Sequence, residues 1–415
     1  MRDIGIVILN EWMKMRHRLK IWLVFGMTIL LAIGFSYLSF SGDQYKAADI
    51  ASVQKNDLAH NTKELEKIKK NGNPEEIKEL EKSIERTKQG INTTENILKG
   101  NWKPAIKLKL EQDKAELKNA KQDKKTIHSD EASNLEKQIA FNEHYLKQDE
   151  RPLLTQNGGS FSLTESTAYS ATKNVLGLGL SLILPLMVIL IVADIVSDET
   201  TRGTLKLLLI RPISRTKILF GKWTASILAT ALLAVIFFTA VLLTNFALYG
   251  TFGAHAPQFM DVSYVEHMVK HTVDQFLFDG PQYSQATLVP ISEALFYGFV
   301  HMLFASIAIA SLAFLFSTIF ASSMISTAIP MVIIVAGSVL LSMPLKIPVL
   351  KYFIGTNLSF SSTWLESTYA SISDFYILTR TNITMTGSIM ILLGWIVVPT
   401  IIAFIHFRKK DILNA

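Results

Sequence analysis

The chain contains no cysteine. That excludes disulfide staples, thiolate metal sites and thiol nucleophiles, and it suits a bacterial membrane protein with an exposed outer domain. Charge is scarce as well: 18% of the residues are Asp, Glu, Lys or Arg, where soluble domains carry roughly a quarter. No GxxxxGK[ST] phosphate loop, GxSxG elbow or HExxH helix occurs. The nearest approach, FGKW at Phe220, lacks the leading glycine and the hydroxyl residue. No self-contained active site is therefore expected, and no cofactor in this chain. A cleavable leader is not expected either, because the first apolar run has no small-residue cleavage site and reads as a signal anchor.

Apolar sequence is what the chain has in quantity, at 49% of 415 residues. Six runs approach the ~20 residues that cross a bilayer: Ile21–Phe40, Val175–Val196, Trp223–Leu248, Ile291–Phe316, Met324–Leu341 and Ser388–Phe407. These predict an all-α polytopic membrane protein with six transmembrane helices. Basic residues cluster before the first run (Arg2, Lys14, Arg16, Arg18, Lys20), between the second and third (Arg202, Lys206, Arg211, Arg215, Lys217, Lys222) and after the sixth (Arg408, Lys409, Lys410). With six spans these places share one side, so both termini are expected in the cytoplasm. Ile4, Ile8, Trp12 and Met15 recur at helical spacing among basic residues, which predicts an interfacial helix within residues 1–20.

Residues 43–165, between a first span at 21–42 and the remaining membrane part at 166–415, are different material. They are rich in Lys, Glu, Asn and Gln and poor in aromatics. Ile77, Leu80, Ile84 and Ile91, then Leu110, Leu117, Leu135 and Ile139, keep the spacing of paired helices. An extracellular antiparallel coiled-coil hairpin is expected, kinked near Pro74 and turning at a tip near Trp102, with a descending arm to about Glu150. A charged disordered loop is the alternative.

Other polar positions are weaker signals. His267 and His271 lie one helical turn apart, but no third ligand follows at a recognisable spacing, so an exposed outer helix is expected rather than a metal site. Glu293 and His301, in the fourth run, either line a translocation path or sit in the interface and a helix–helix contact respectively. Residues 343–384, with Trp364, Phe375 and Tyr376, read as a re-entrant helical pair or as an outer loop with aromatic anchors.

The excursion between the second and third runs, DETTRGTLKLLLIRPISRTKILFGKW, carries the most information. Leu205, Leu208, Leu209 and Pro212 form one apolar face of a short helix, with Lys206, Arg211 and Arg215 beside it. The acidic Glu199, then Gly203-Thr204-Leu205, Leu207 to Leu209, Pro212, Ser214-Arg215 and Lys222 resemble the cytoplasmic coupling segment (198–222) of permeases of the second ABC exporter type. The resemblance implies a non-catalytic permease whose coupling residues, Glu199, Gly203, Thr204, Leu205, Leu208, Leu209, Arg211, Pro212, Ser214 and Arg215, dock a separate ATPase. It implies two copies of that ATPase, which bind the ATP and Mg, and a second permease copy or related permease, among membrane lipids and without nucleic acid. Exported substrates in this family include lipids, peptides and drugs. A membrane-anchored coiled-coil receptor and an ion-coupled secondary transporter are the other classes the sequence leaves open.

Overall fold

The computed structural model describes residues 2–43, 47–69, 73–122, 130–158, 161–201, 203, 214–270, 275–283, 285–366 and 373–409. Among these, six helices are long and apolar enough to cross a bilayer: Leu19–Gly42, Ala168–Thr201, Arg215–Tyr249, Ile291–Ile319, Ser323–Leu341 and Met385–Lys409. They are called the first to sixth spans. The second and fourth are the most enclosed by protein and form the centre of the membrane part. Helix α1 (Arg2–Arg16) precedes the first span, α2 (Leu19–Asp43).

Prolines and glycines shape the central spans. Pro185 has no N–H to donate, and the backbone just before it widens into a π turn at Gly179–Ile183. A Cβ on Gly179 would collide with the ring of Phe237, so the second and third spans approach closely there. The second span then breaks at 193–196 and resumes as Ser197–Thr201. Ser317 accepts from the amides of Val196 and Ser197, and Ser326 donates to the carbonyl of Ala193. These bonds fix the end of the second span to the junction of the fourth and fifth.

The segment after the first span is not one long hairpin. It makes four passes: α3 (Ala47–Ile68), α4 (Pro74–Leu98), α5 (Trp102–Gln122) and α6 (Asp130–Gln148). The ion pairs Lys55–Glu95 and Lys69–Glu81 set α3 antiparallel to α4. Lys82–Glu116 relates α4 to α5, and Lys103–Asp149 with Lys114–Glu143 relates α5 to α6. The expected kink at Pro74 is thus a full reversal: Pro74 opens a new helix instead of bending an old one. The extra pass puts Trp102 at the base of the bundle rather than at a distal tip. There it packs with Leu146 against Ile97, Ile106 and Leu154.

Short strands cover the insertion end of the spans. β1 (Thr155–Gly158) pairs with β2 (Phe161–Thr164), β3 (Pro257–Met260) with β6 (Thr287–Pro290), and β4 (Ser263–Lys270) with β5 (Gln275–Gln282), all antiparallel. The stretch around His267 is therefore strand and not helix; Tyr264, Val265 and Val269 favour the pleated form. His271 lies outside the described residues.

The described residues of 343–384 form a series of short helical turns, at Pro348–Tyr352, Ile354–Asn357, Phe360–Thr363 and Asp374–Thr379, and among them no long re-entrant helix pair is seen. Phe360, Trp364 and Phe375 are fully buried. The turns wedge against the spans where glycine leaves room: a Cβ on Gly298 would meet the Phe360 ring at 2.9 Å, and one on Gly337 would strike the backbone of Gly355.

The insertion is fastened to this cover through α6. Lys137 pairs with Glu366, Phe141 stacks on Phe259 at 5.4 Å, and His144 bonds the carbonyl of His255 at 3.0 Å.

Candidate functional site

At the end of the spans opposite the insertion, α1 lies across the start of the third span. Val7, Glu11 and Met15 form its buried edge, while Ile6, Leu9 and Met13 are exposed. The close approach falls at Gly221, where a Cβ would collide with the Val7 side chain. The glycine of FGKW is therefore a packing residue, and the lysine after it is the centre of an ion-pair cluster.

Lys222 Nζ lies 2.8 Å from Glu11 Oε2 and 2.8 Å from Glu199 Oε1, with only 1% of its side chain exposed. Lys14 Nζ adds contacts of 2.8 Å to Glu11 and 3.4 Å to Glu199. Two lysines thus balance two carboxylates, which makes such burial tolerable. Burial opposes ionisation of Glu11, but Lys222 and Lys14 outweigh it and hold the carboxyl below its usual range. Burial likewise works against the charge of Lys14, and Glu11 and Glu199 overcome it, raising that ammonium. Two further pairs flank the cluster: Arg18–Asp198 at 3.5 Å and Lys20–Asp194 at 2.7 Å.

This cluster holds three chain segments together: α1, the end of the second span and the start of the third. It sits at the two roots of the excursion. Gly203 leaves the second span with φ +70°, a left-handed conformation suited to glycine, and its N–H donates to the Thr200 carbonyl at 3.1 Å. Thr201 Oγ1 donates to the carbonyl of Ala321 at 2.6 Å. Ser214 stands in extended conformation before the third span opens at Arg215. Thr204, Leu205, Leu208, Leu209, Arg211 and Pro212 lie outside the described residues.

Glu199 and Lys222, the two ends of the sequence pattern, are thus brought into direct contact. Glu11, Asp194, Asp198 and Gly221 complete the arrangement and were not singled out by sequence. A signal for Glu11 was present: it falls at helical spacing between Ile8 and Met15, so a carboxylate sits on an otherwise apolar edge.

Glu293 and His301 are not brought together. Glu293 is exposed near the insertion end of the fourth span and accepts from the Tyr297 hydroxyl at 3.1 Å. His301 is fully buried and bonds Ser388 of the sixth span at 3.0 Å, with the rings of Phe360 and Trp364 beside it. That bond joins the fourth and sixth spans. Among the described residues no group of three or more His, Asp or Glu side chains converges as a metal site would.

The cluster is a charged joint between α1, the end of the second span and the start of the third. Over 98% of its length the chain is 22% identical to the uncharacterized protein YhcI of Bacillus subtilis (strain 168), covering 99% of that protein. The model of the ABC-2 family transporter protein matches residues 6–412. With the family covering nearly the whole chain, and six membrane helices built around a charged joint, this protein belongs to the ABC-2 transporter family as a multi-pass membrane permease.

Proposed function

We propose that the chain is the permease subunit of an ATP-driven exporter, with both termini and residues 198–222 in the cytoplasm and the four-helix insertion outside the cell. The observation that carries this reading is the Glu11–Lys222–Glu199 cluster at the roots of the excursion. A segment anchored so firmly at both ends passes a push on its middle directly to the second and third spans. A floppy loop would absorb it. The described basic residues Lys14, Arg16, Arg215, Lys217, Lys222, Arg408 and Lys409 lie at that end, a pattern typical of cytoplasmic faces.

In this reading a separate ATPase grips Leu205, Leu208 and Leu209, with Glu199, Arg211 and Arg215 orienting the contact. Two permeases and two ATPases make the working unit, and ATP and Mg belong to the ATPases. Movement of the ATPases tilts the second and third spans through the charged joint. The cargo is an amphiphilic molecule such as a lipid, a drug or an antimicrobial peptide.

Two measurements test the proposal. Because the chain lacks cysteine, introduced thiols are clean probes of sidedness. Asn134→Cys and Gln285→Cys, both at exposed positions, should react with an impermeant reagent on intact cells, and Thr216→Cys only after lysis. Labelling of Thr216→Cys from outside reverses the orientation. The tagged chain should also co-purify with an ATP-hydrolysing subunit while showing no turnover alone; a fully active chain without such a subunit overturns the permease reading.

A further inference from the structure

A cleft of 220 Å³ opens among the second, third and fourth spans toward the insertion end. Its walls include Tyr169, Phe238, Phe246, Leu295, Phe296 and Phe299. Tyr169 and Phe246 meet edge to face at 5.3 Å, and Phe238 packs on Phe299 at 4.8 Å. Phe296 is 60% exposed, so the cleft is reachable from the side that lipid would cover. A cavity of about 150 Å³ lined by apolar side chains accommodates benzene, so this one has room for a ring or several methylenes.

The depth of the cleft matches an amphiphile. The fourth span has 29 residues, which is about 43 Å of helix against ~30 Å of hydrocarbon. Glu293, in its first turn, therefore stands at headgroup level. Phe299 lies about 9 Å deeper, among the acyl chains.

One exposed carboxylate, Glu293, stands beside the mouth. Glu293 is one residue round the helix from Ser292, which lines the cleft, and one turn above Phe296. Its carboxylate accepts from the neutral Tyr297 hydroxyl at 3.1 Å, and among the described residues no basic group lies within ion-pairing distance of it. Glu150, which precedes the second span, is already paired with His255 at 3.0 Å. The basic residue nearby in sequence, Arg151, is held by Glu165 at 2.7 Å and stacks on Phe252.

We propose that this cleft binds a single-tailed cationic amphiphile from the adjoining leaflet, its tail among the aromatic rings and its cationic head at Glu293. Aromatic faces near the mouth add attraction for a quaternary ammonium. The site needs only that these helices span the bilayer; it does not depend on the ATPase or on the direction of transport.

The test is direct binding in nanodiscs of zwitterionic lipid. The probe is dodecyltrimethylammonium carrying a photoreactive group in its tail, with a neutral dodecyl glycoside carrying the same tail as comparison. The cationic probe should label peptides containing Phe238–Phe246 and Ser292–Phe299. Glu293→Gln should weaken the cationic probe about fivefold, the scale of an exposed ion pair, and leave the neutral one unchanged. Tyr297→Phe, which removes only the hydroxyl partner, should retain selectivity for the cation. Ser292→Phe should exclude both probes by filling the cleft. Equal binding of the two probes, an unchanged affinity in Glu293→Gln, or labelling confined to other spans would each overturn the proposal. Should Ser292→Phe fail to fold, the comparison of charges on Glu293→Gln decides alone.

Discussion

The ammonium of Lys222 stands 2.8 Å from a carboxylate oxygen of Glu11, a residue 211 positions earlier in the chain. The pair ties the N-terminal helix α1 to the start of the third span. Buried ion pairs add little net stability over apolar substitutes, yet breaking one is expensive because a charge is left without its partner.

Lys222→Met therefore leaves Glu11 and Glu199, both largely buried, sharing the half-exposed Lys14 as their remaining cation. The expected cost is about 3–5 kcal/mol. The double variant Glu11→Gln with Lys222→Met should lose less than the sum of the singles. Thermal unfolding of the purified protein measures the cycle, and faster tryptic cleavage after Arg16 or Arg18 reports release of α1. Additive effects would mean that the two side chains do not interact.

The same edge of α1 depends on Gly221. A methyl group there strikes Val7, and neighbours in a packed interface yield only in part. Gly221→Ala should destabilise the protein by about 1–3 kcal/mol. Val7→Ala in the same chain should recover most of that loss, since it removes the colliding atom. Without such recovery, the glycine serves backbone conformation rather than contact.

Far from this joint, His144 couples the insertion to the cover over the spans. Burial depresses its pKa below the usual 6.5, opposed by its bond to the His255 carbonyl and aided by Lys147 and His255. A histidine with a lowered folded pKa favours the neutral form. Its contribution is complete above the unfolded value near 6.5 and is lost as pH falls through that value toward the folded one. His255 and Glu150, which pair at 3.0 Å, face the same contact. Protection from hydrogen exchange in residues 130–148, relative to the slowing intrinsic rate, should fall as pH drops from about 7.5 to about 5.5. His144→Gln should flatten the change; an unaltered profile in that variant removes His144 as its cause.

The spans were legible because about twenty consecutive apolar residues have few other uses. Gly203 and Lys222 stood out within a dense local pattern. The insertion misled because heptad-like spacing specifies that helices pair without saying how many passes they make. "NGNP" at Asn71 reads equally as a kink or a reversal, and only the pairing of Lys69 with Glu81 distinguishes them. β4 and β5 were missed because the histidine spacing in "EHMVKH" was read on a helical period, although i and i+4 share a face in a strand too. Glu11 was overlooked because its buried partner, Lys222, lies 211 residues further along the chain. Long-range charge pairing leaves no local trace beyond one acid on an apolar edge.

The excursion itself offers the sharpest functional test. Its roots are fixed by Lys222 and Glu199, so a change at its middle need not disturb the spans. One leucine buried in a partner's groove contributes roughly 1.5–3 kcal/mol, and a carboxylate there adds a desolvation cost. Leu208→Asp should insert and fold normally yet retain at least about tenfold less ATPase on co-purification, since ~1.4 kcal/mol already corresponds to a factor of ten. Export should stop with it. Lys118→Ala, on the exposed face of α5, should leave both unchanged. Glu199→Gln should behave differently from either: the excursion still carries its leucines, so the ATPase binds, but the joint beneath it is weakened and ATP turnover continues with reduced export. If Leu208→Asp keeps the full complex, the leucines do not form the docking face. If Glu199→Gln exports normally at full turnover, the charged joint does not transmit the movement.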